Sequence, residues 1–159
     1  MAAGTAETPY QQRVLLPWLV QGLLRLDLPD AAIIGTLQVL EFFSLLSLVI
    51  AFRAYLSLFF NHLLLASVLA FTILLVLPFN LLYTYWYPND IPAVLFFTLG
   101  LIAFYRRSWP WYYLLFVVAT LNRETTLFLT FLFVVTNLDR LSLKQLAGHT
   151  AVQLFIWGA

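Results

Sequence analysis

The chain has 159 residues, of which 63% are hydrophobic, 18% aromatic and only 9% charged, and its net charge is +1. Soluble domains average about 45–50% apolar and about 25% charged residues, so this chain lacks the charged surface that a soluble protein needs. The near-neutral charge argues against a nucleic-acid partner, and the absence of cysteine excludes disulfides and thiolate chemistry. The composition therefore predicts an all-α integral membrane protein surrounded by lipid.

The N-terminal part of the chain contains a polar segment and a short apolar one. Residues 1–12 are small and polar, and they lack the basic start and apolar core of a signal peptide. Residues 13–26 are apolar except for a more polar or helix-breaking residue at every fourth position. These residues are Arg13, Pro17, Gln21 and Arg25. Fourteen residues rise about 21 Å, less than the roughly 30 Å of a bilayer core, so we expect a helix lying in the membrane interface.

Downstream, apolar runs alternate with short polar segments, which predicts one membrane domain over residues 13–159. The first run, 31–52, rises about 33 Å and is long enough to cross a bilayer. Asp30 at its start and Arg53 at its end suit the two ends of a helix dipole. The further predicted segments are 63–79, 91–105, 109–121, 126–136 and a partial segment from residue 146. The predicted fold is a polytopic bundle of about five membrane segments, several of them short.

The runs 109–121 and 126–136 allow two interpretations. They form either two short helices joined by a turn, or one long helix that carries Arg123 and Glu124 at mid-membrane. The first arrangement puts five basic residues inside and three outside, as the positive-inside rule requires. The second removes this bias and buries two charges at a cost of several kcal/mol. We therefore predict the hairpin, with Asp90, Arg123 and Glu124 on the outer face of the membrane.

One polar segment on this predicted outer face reads Tyr-Pro-Asn-Asp-Ile-Pro over residues 87–92. It is either a turn with a helix cap, since Asn and Asp before a helix satisfy free backbone amides, or part of a binding site. In the functional interpretation, Asp90 accepts a proton from a hydroxyl group, while Tyr87 and Asn89 contact the substrate.

A second polar segment, Asn122-Arg123-Glu124-Thr125, separates two apolar runs. It is either a hairpin turn whose charges pair with each other or with lipid headgroups, or a second part of the same site. In the functional interpretation, Arg123 holds a phosphate, Glu124 accepts a proton and Asn122 contacts the substrate. The predicted outer-facing cavity brings Asp90, Arg123 and Glu124 together, with Arg13 at its rim.

Three other features outside these segments bear on function. Glu41 is the one charge deep in a predicted span, and it is either functional or a protonated or hydrogen-bonded helix contact. Gly100 and its small neighbours predict a helix-packing surface rather than a phosphate loop. His62 and His149 lie in unrelated segments, so no histidine metal cluster is predicted.

An ordered set of motifs spans about residues 8–135. The motifs are Tyr10-Gln-Gln-Arg13-Val-Leu-Leu-Pro17, Tyr87-Pro-Asn-Asp90 opening a short helix, the basic turn Arg106-Arg107, and Asn122-Arg123-Glu124-Thr125. In order and spacing, this set resembles multi-pass bacterial glycosyltransferases of the GT-C type.

The resemblance implies a polytopic enzyme that transfers a sugar from a polyprenyl-phosphate-linked donor at the outer face of a bacterial inner membrane. An outer carboxylate, Asp90 or Glu124, would deprotonate or position the acceptor hydroxyl. Arg123, with Arg13, would balance the phosphate of the leaving lipid. No nucleotide or organic cofactor is implied, although a divalent metal ion could be used. Members of the family usually contain more membrane helices, so we expect this chain to be a fragment.

Two other functional classes stay open at this stage. A transporter or flippase fragment would need charges along a path through the membrane, and Glu41 is the one candidate for that role. A structural membrane subunit would use its aromatic and short-helix surfaces for packing and would have dispersed charges. Clustering of charges on one face favours the glycosyltransferase hypothesis.

Overall fold

The computed structural model describes residues 14–83 and 89–158, and it describes side chains throughout these ranges except at 76–83. Within these ranges the chain forms seven α-helices and one 3-10 turn, without any strand. The helices are α1 (Leu15–Leu24), α2 (Asp30–Leu56), α3 (Leu63–Tyr83), α4 (Asp90–Tyr105), α5 (Trp109–Asn122), α6 (Leu127–Asn137) and α7 (Leu143–Gly158), with the 3-10 turn at Glu124–Thr126. The predicted all-α class is confirmed for this part of the chain.

Helix boundaries follow the apolar runs, with two extensions at C-terminal ends. The helix predicted over 31–52 continues to Leu56, so Arg53 lies in its last turn. The helix predicted to end near residue 79 runs through Pro78 to Tyr83. Both extensions add residues that the sequence analysis had assigned to loops.

The start of α7 is set by a local polar motif. Ser142 Oγ accepts a hydrogen bond from the Gln145 backbone N–H at 3.4 Å, and Gln145 Oε1 accepts one from the Ser142 backbone N–H at 3.3 Å. This reciprocal pair is a capping box, which satisfies amides at a helix N-terminus. Because of it, α7 starts at Leu143, three residues before the predicted position.

The segment around Arg123 is a chain reversal and not the middle of one long helix. α5 ends at Asn122, and Arg123 has extended backbone angles, φ −160° and ψ 140°. Beyond the 3-10 turn, α6 runs back along α5: the Phe133 ring centroid lies 5.9 Å from that of Trp109 at the start of α5. The hairpin interpretation is therefore confirmed as a matter of chain path.

Two apolar clusters hold the bundle together. The first joins α2 to α4 and contains Leu48, Ala51, Ile91 and Leu95. The second joins α4, α5 and α6 and contains Ala103, Tyr112, Phe116 and Leu129. α4 belongs to both clusters, so it is the central helix that connects the two halves of the described fold.

The topology collects the helix ends into two groups. At one end, the start of α4, the end of α5 and the end of α7 meet, through hydrogen bonds described below. At the opposite end, the residues that follow α2 reach the end of α4, where the rings of Phe59 and Tyr105 are 5.4 Å apart. The loops and helix ends at this opposite end are rich in basic residues. These residues are Arg53, Arg106, Arg107, Arg140 and Lys144.

α2 is the helix in the described ranges that is long and apolar enough to cross a membrane. Its most apolar 18-residue window has a mean hydropathy of 2.0, and 17% of that window is buried in the protein. The apolar stretches of α1, α4 and α6 are shorter than such a span requires. At 1.5 Å per residue, α4 and α5 are only about 24 Å and 21 Å long.

Gly100 allows α4 to approach α6, as its small neighbours predicted. A Cβ atom at this position would lie 3.0 Å from Leu129 Cδ1. We expect Gly100→Val to destabilise the protein by about 1–3 kcal/mol, because extra methyl groups would overpack the contact. The matched control is Gly35→Val in α2, where an added Cβ meets no atom within 4 Å. Unfolding of both variants in detergent micelles tests this, and equal stabilities would contradict it.

Candidate functional site

An ion pair joins the two polar segments singled out in the sequence. Arg123 Nη1 donates to Asp90 Oδ1 across 33 positions of sequence. The Asp90 side chain is 41% exposed and that of Arg123 is 29% exposed, so the pair lies at the surface but is partly shielded from solvent. The predicted meeting of these two residues is confirmed. The turn interpretation had paired Arg123 with Glu124 or with lipid headgroups. In the structure Arg123 pairs with Asp90, a carboxylate on another helix.

Asp90 occupies the first position of α4 and does not act as a conventional cap. Asn89 precedes the helix and makes no side-chain capping hydrogen bond. The Asp90 carboxylate lies in the first turn, where the helix dipole favours a negative charge. Its oxygen is directed to Arg123. The side-chain cap interpretation is therefore wrong for Asn89, while Asp90 pairs with Arg123 from the first turn of the helix.

Two asparagines tie the pair into the fold. Asn122 is 1% exposed, and its Nδ2 donates to the backbone oxygen of Asn89 at 3.1 Å. Three polar atoms here are buried without a hydrogen-bond partner among the described residues. They are Asn89 Oδ1, Asn122 Oδ1 and Arg123 Nε. Each such group costs about 1–3 kcal/mol when unsatisfied, so the site keeps unused capacity of two acceptors and one donor.

Helices at both ends of the chain frame this polar cluster. At the start of α1, the Val14 backbone N–H donates to Leu121 O at 3.1 Å. At the end of α7, Trp157 Nε1 donates to Glu124 O at 2.9 Å. These contacts hold the last turn of α5 and the 3-10 turn in place. We define the Asp90 cluster as Asn89, Asp90, Asn122, Arg123 and Glu124.

The remaining site predictions have mixed outcomes. Arg13 and Tyr87 lie outside the described residues. Glu124 is half-buried beside Arg123, and its backbone oxygen holds Trp157. Glu41 is half-buried in α2 and does not belong to the Asp90 cluster as defined.

No group of three or more His, Asp or Glu side chains is arranged to hold a metal ion within residues 14–83 and 89–158. Two cavities in the described fold lie away from the Asp90 cluster. One, of about 380 Å³, lies between α2 and α3, and the other, of about 460 Å³, lies beside Tyr113 and His149. At the place where the sequence predicted a shared outer cavity, the described residues form a partly exposed cluster that contains three unsatisfied buried atoms.

A second polar network links α5 to α7 and was missed by sequence reasoning. Tyr112 donates its hydroxyl to Gln153 Oε1 at 3.1 Å, and Tyr113 is hydrogen-bonded to His149 Nδ1 at 2.6 Å. His149, Gln153 and Trp157 follow one another at intervals of four residues, which places them on one face of α7. That spacing was visible in the sequence and is the signal that would have identified this face.

Comparisons of the chain with known protein families, curated proteins and solved structures find no match. Any functional assignment therefore depends on the geometry of the Asp90 cluster and on the distribution of charge and apolar surface.

Proposed function

We propose that this chain is a multi-pass membrane protein, part of a bacterial glycosyltransferase of the GT-C type, that uses a polyprenyl-phosphate-linked sugar. The observation that carries the proposal is the pairing of Asp90 with Arg123 beside two asparagines whose side-chain oxygens are buried, in a chain with few charges. An acid, a phosphate-binding cation and unsatisfied hydrogen-bonding groups are what such a transfer needs in one place.

Exposed apolar side chains on helices other than α2 support the multi-pass arrangement. Leu64 on α3 is 80% exposed, Phe131 on α6 is 64% exposed and Phe155 on α7 is 76% exposed. Contiguous apolar surface of this kind is rare on soluble monomers and marks contact with a membrane or a partner. Helices shorter than a bilayer core are accommodated by local thinning of the membrane.

The distribution of charge supports one orientation. The five basic residues at the end that holds Arg53 share it with one acidic residue, Asp139. The end that holds the Asp90 cluster carries most of the acidic residues of the described chain. Cytoplasmic segments favour Lys and Arg, so the Asp90 cluster faces outward in this arrangement.

Single-cysteine labelling tests the orientation, because the natural chain has no cysteine to interfere. We expect an impermeant thiol reagent to label Thr125→Cys in right-side-out vesicles without permeabilisation. Arg106→Cys and Arg140→Cys should react only after permeabilisation, since their loops lie at the basic end. Labelling at 106 and 140 but not at 125 would reverse the orientation, and labelling of all three in sealed vesicles would contradict membrane insertion.

The proposed chemistry assigns a task to four members of the Asp90 cluster. The Asp90 carboxylate accepts the proton of the acceptor hydroxyl as that oxygen attacks the anomeric carbon of the donor sugar. The bond from that carbon to the phosphate oxygen breaks, and the Arg123 guanidinium stabilises the charge that develops on the leaving lipid phosphate. Asn89 Oδ1 and Asn122 Oδ1 offer acceptors to sugar hydroxyls, and such contacts would satisfy atoms that now lack partners.

The ion pair links donor binding to the proposed base. A phosphate that binds Arg123 competes with Asp90 for the same guanidinium, and guanidinium binds phosphate and carboxylate alike through its planar fork. When the donor binds, the Asp90 carboxylate loses a hydrogen-bond donor and becomes available to the acceptor hydroxyl. The Asp90 carboxylate is therefore released from Arg123 only when the donor is bound, and it can then act as the base.

The direct test is transfer of a radiolabelled sugar from a polyprenyl phosphate to an acceptor in vesicles containing the full chain. Donor binding is measured in parallel, by competition with the unglycosylated polyprenyl phosphate. Saturable binding that depends on Arg123 supports the proposal. Failure to bind either lipid would contradict it and would favour a structural membrane subunit.

A further inference from the structure

The cavity between α2 and α3 is a long apolar groove with a single charged residue at one end. Its less exposed floor is made by Leu45, Val49 and Ala70, and its walls by larger exposed side chains. The wall residues are Phe42, Leu46, Ile50, Phe71 and Leu74. Arg53, in the last turn of α2, lines the same groove. The volume of the groove is about 380 Å³.

Apart from Arg53, the groove offers almost no polar group to a ligand. Ser67 is the other polar lining residue, and its hydroxyl already donates to the Leu63 backbone oxygen at 2.8 Å. An occupant must therefore be apolar along its length and anionic at one end. This pattern matches an acyl chain attached to an anionic headgroup.

The length of the groove agrees with one leaflet of a bilayer. Eleven residues separate Phe42 from Arg53 on α2, and at 1.5 Å per residue this is about 16 Å. Half of a hydrocarbon core of roughly 30 Å is about 15 Å. With Arg53 at the basic end of the bundle, the groove extends from the headgroup level to the middle of the membrane.

We infer that this groove binds one acyl chain of an anionic glycerophospholipid, with Arg53 holding the lipid phosphate. The inference rests on the membrane placement proposed above and is independent of the glycosyltransferase assignment. The site lies at the basic end of the fold, opposite the Asp90 cluster, so the bound lipid is a resident lipid and not the sugar donor. Other basic loops at this end raise the local concentration of anionic lipid by long-range attraction.

The test places one tryptophan in the groove and another on an ordinary lipid-facing surface. Phe71→Trp reports from the groove wall, and Phe131→Trp, on α6, is the matched control, since the two phenylalanines are 60% and 64% exposed. Each full-length variant is reconstituted in vesicles of phosphatidylcholine that contain either brominated phosphatidylglycerol or brominated phosphatidylcholine. The quenching that each added tryptophan contributes beyond the wild-type signal is measured against the mole fraction of brominated lipid.

We expect the tryptophan at 71 to be half-quenched at an about fivefold lower fraction of the anionic lipid, the effect of one arginine beside an anionic headgroup. The tryptophan at 131 should not distinguish the two lipids. Adding Arg53→Gln should abolish the preference at 71, whereas Arg140→Gln, at the same end but outside the groove, should leave it intact.

Three results would overturn the inference. Equal quenching of the tryptophan at 71 by both lipids means that the groove holds ordinary solvating lipid. A preference that survives Arg53→Gln, or that Arg140→Gln removes equally, assigns the effect to the general charge of this end. Quenching at 131 with none at 71 means that protein, such as a second copy of the chain, fills the groove. Absence of quenching at both positions would also remove the membrane placement, while the donor-binding test at Arg123 stays independent of all these results.

Discussion

Replacing Arg123 with alanine is expected to weaken binding of a polyprenyl-phosphate-linked sugar by roughly 1.5–3 kcal/mol, about 10- to 150-fold in Kd. Under the proposed function, Arg123 donates a charge-assisted hydrogen bond to the lipid phosphate, and alanine would remove it. Arg123→Lys should recover part of the affinity, because lysine keeps the charge but loses the bidentate fork. Donor binding to the wild type and both variants in the same detergent measures this.

Structural damage is the alternative explanation of such a loss, because Arg123 also holds Asp90. Arg140→Ala is the matched control for charge, since Arg140 is an exposed arginine at the opposite end of the fold. Unfolding of each variant in detergent shows how much of the effect is stability. If the wild type, Arg123→Ala and Arg123→Lys bind the donor equally, Arg123 is a turn residue and the proposed function loses its principal support.

Asp90→Asn should have the opposite effect on binding and a larger one on turnover. Asparagine keeps an oxygen that accepts a hydrogen bond from Arg123 and preserves side-chain volume, so the fold should tolerate it. It cannot take a proton, so we expect the transfer rate to fall by about 10²- to 10⁴-fold, the contribution typical of a general base. Donor affinity should increase, because a neutral amide competes with the lipid phosphate for Arg123 less strongly than a carboxylate does.

The contrast between the two variants separates a site from a packing contact. A purely structural ion pair would lose similar stability from either side and would have no reason to change donor affinity in opposite directions. Glu124→Gln provides the comparison within the cluster. If turnover falls with Glu124→Gln and not with Asp90→Asn, Glu124 is the base and the assignment within the cluster is wrong.

The sequence predicted the path of the chain well because its polar segments are few and sharply bounded. Asp90 and Arg123 each interrupt apolar runs, and helix lengths between them are short, so alternate turns had to meet at one end. For this reason the sequence alone singles out both residues of the ion pair. The partner of each was not predictable, since it depends on how α4 and α5 are rotated about their axes.

Other contacts depend on features that the pattern of apolar runs does not predict. The capping box of Ser142 and Gln145 is a local motif, and recognising it would have placed the start of α7 correctly. The hydrogen bond from Trp157 to the Glu124 backbone oxygen is different in kind. It requires α7 to pack against α5 from His149 to Trp157, and no short-range pattern specifies that packing.

The short helices α4 and α5 would affect the bilayer itself in the proposed membrane arrangement. Helices of about 24 Å and 21 Å in a hydrocarbon core of roughly 30 Å would produce hydrophobic mismatch, while the longer α2 would not. The lipid beside the short helices would have to thin, and the lipid beside α2 would keep its full thickness. Phosphate groups on the thinned side would therefore lie several ångströms closer to the membrane midplane, toward the level of Arg123, which follows the last residue of α5. Local thinning of the membrane would thus place the lipid phosphate at the depth of the Asp90 cluster, although the cluster would lie below the surface of the unperturbed bilayer.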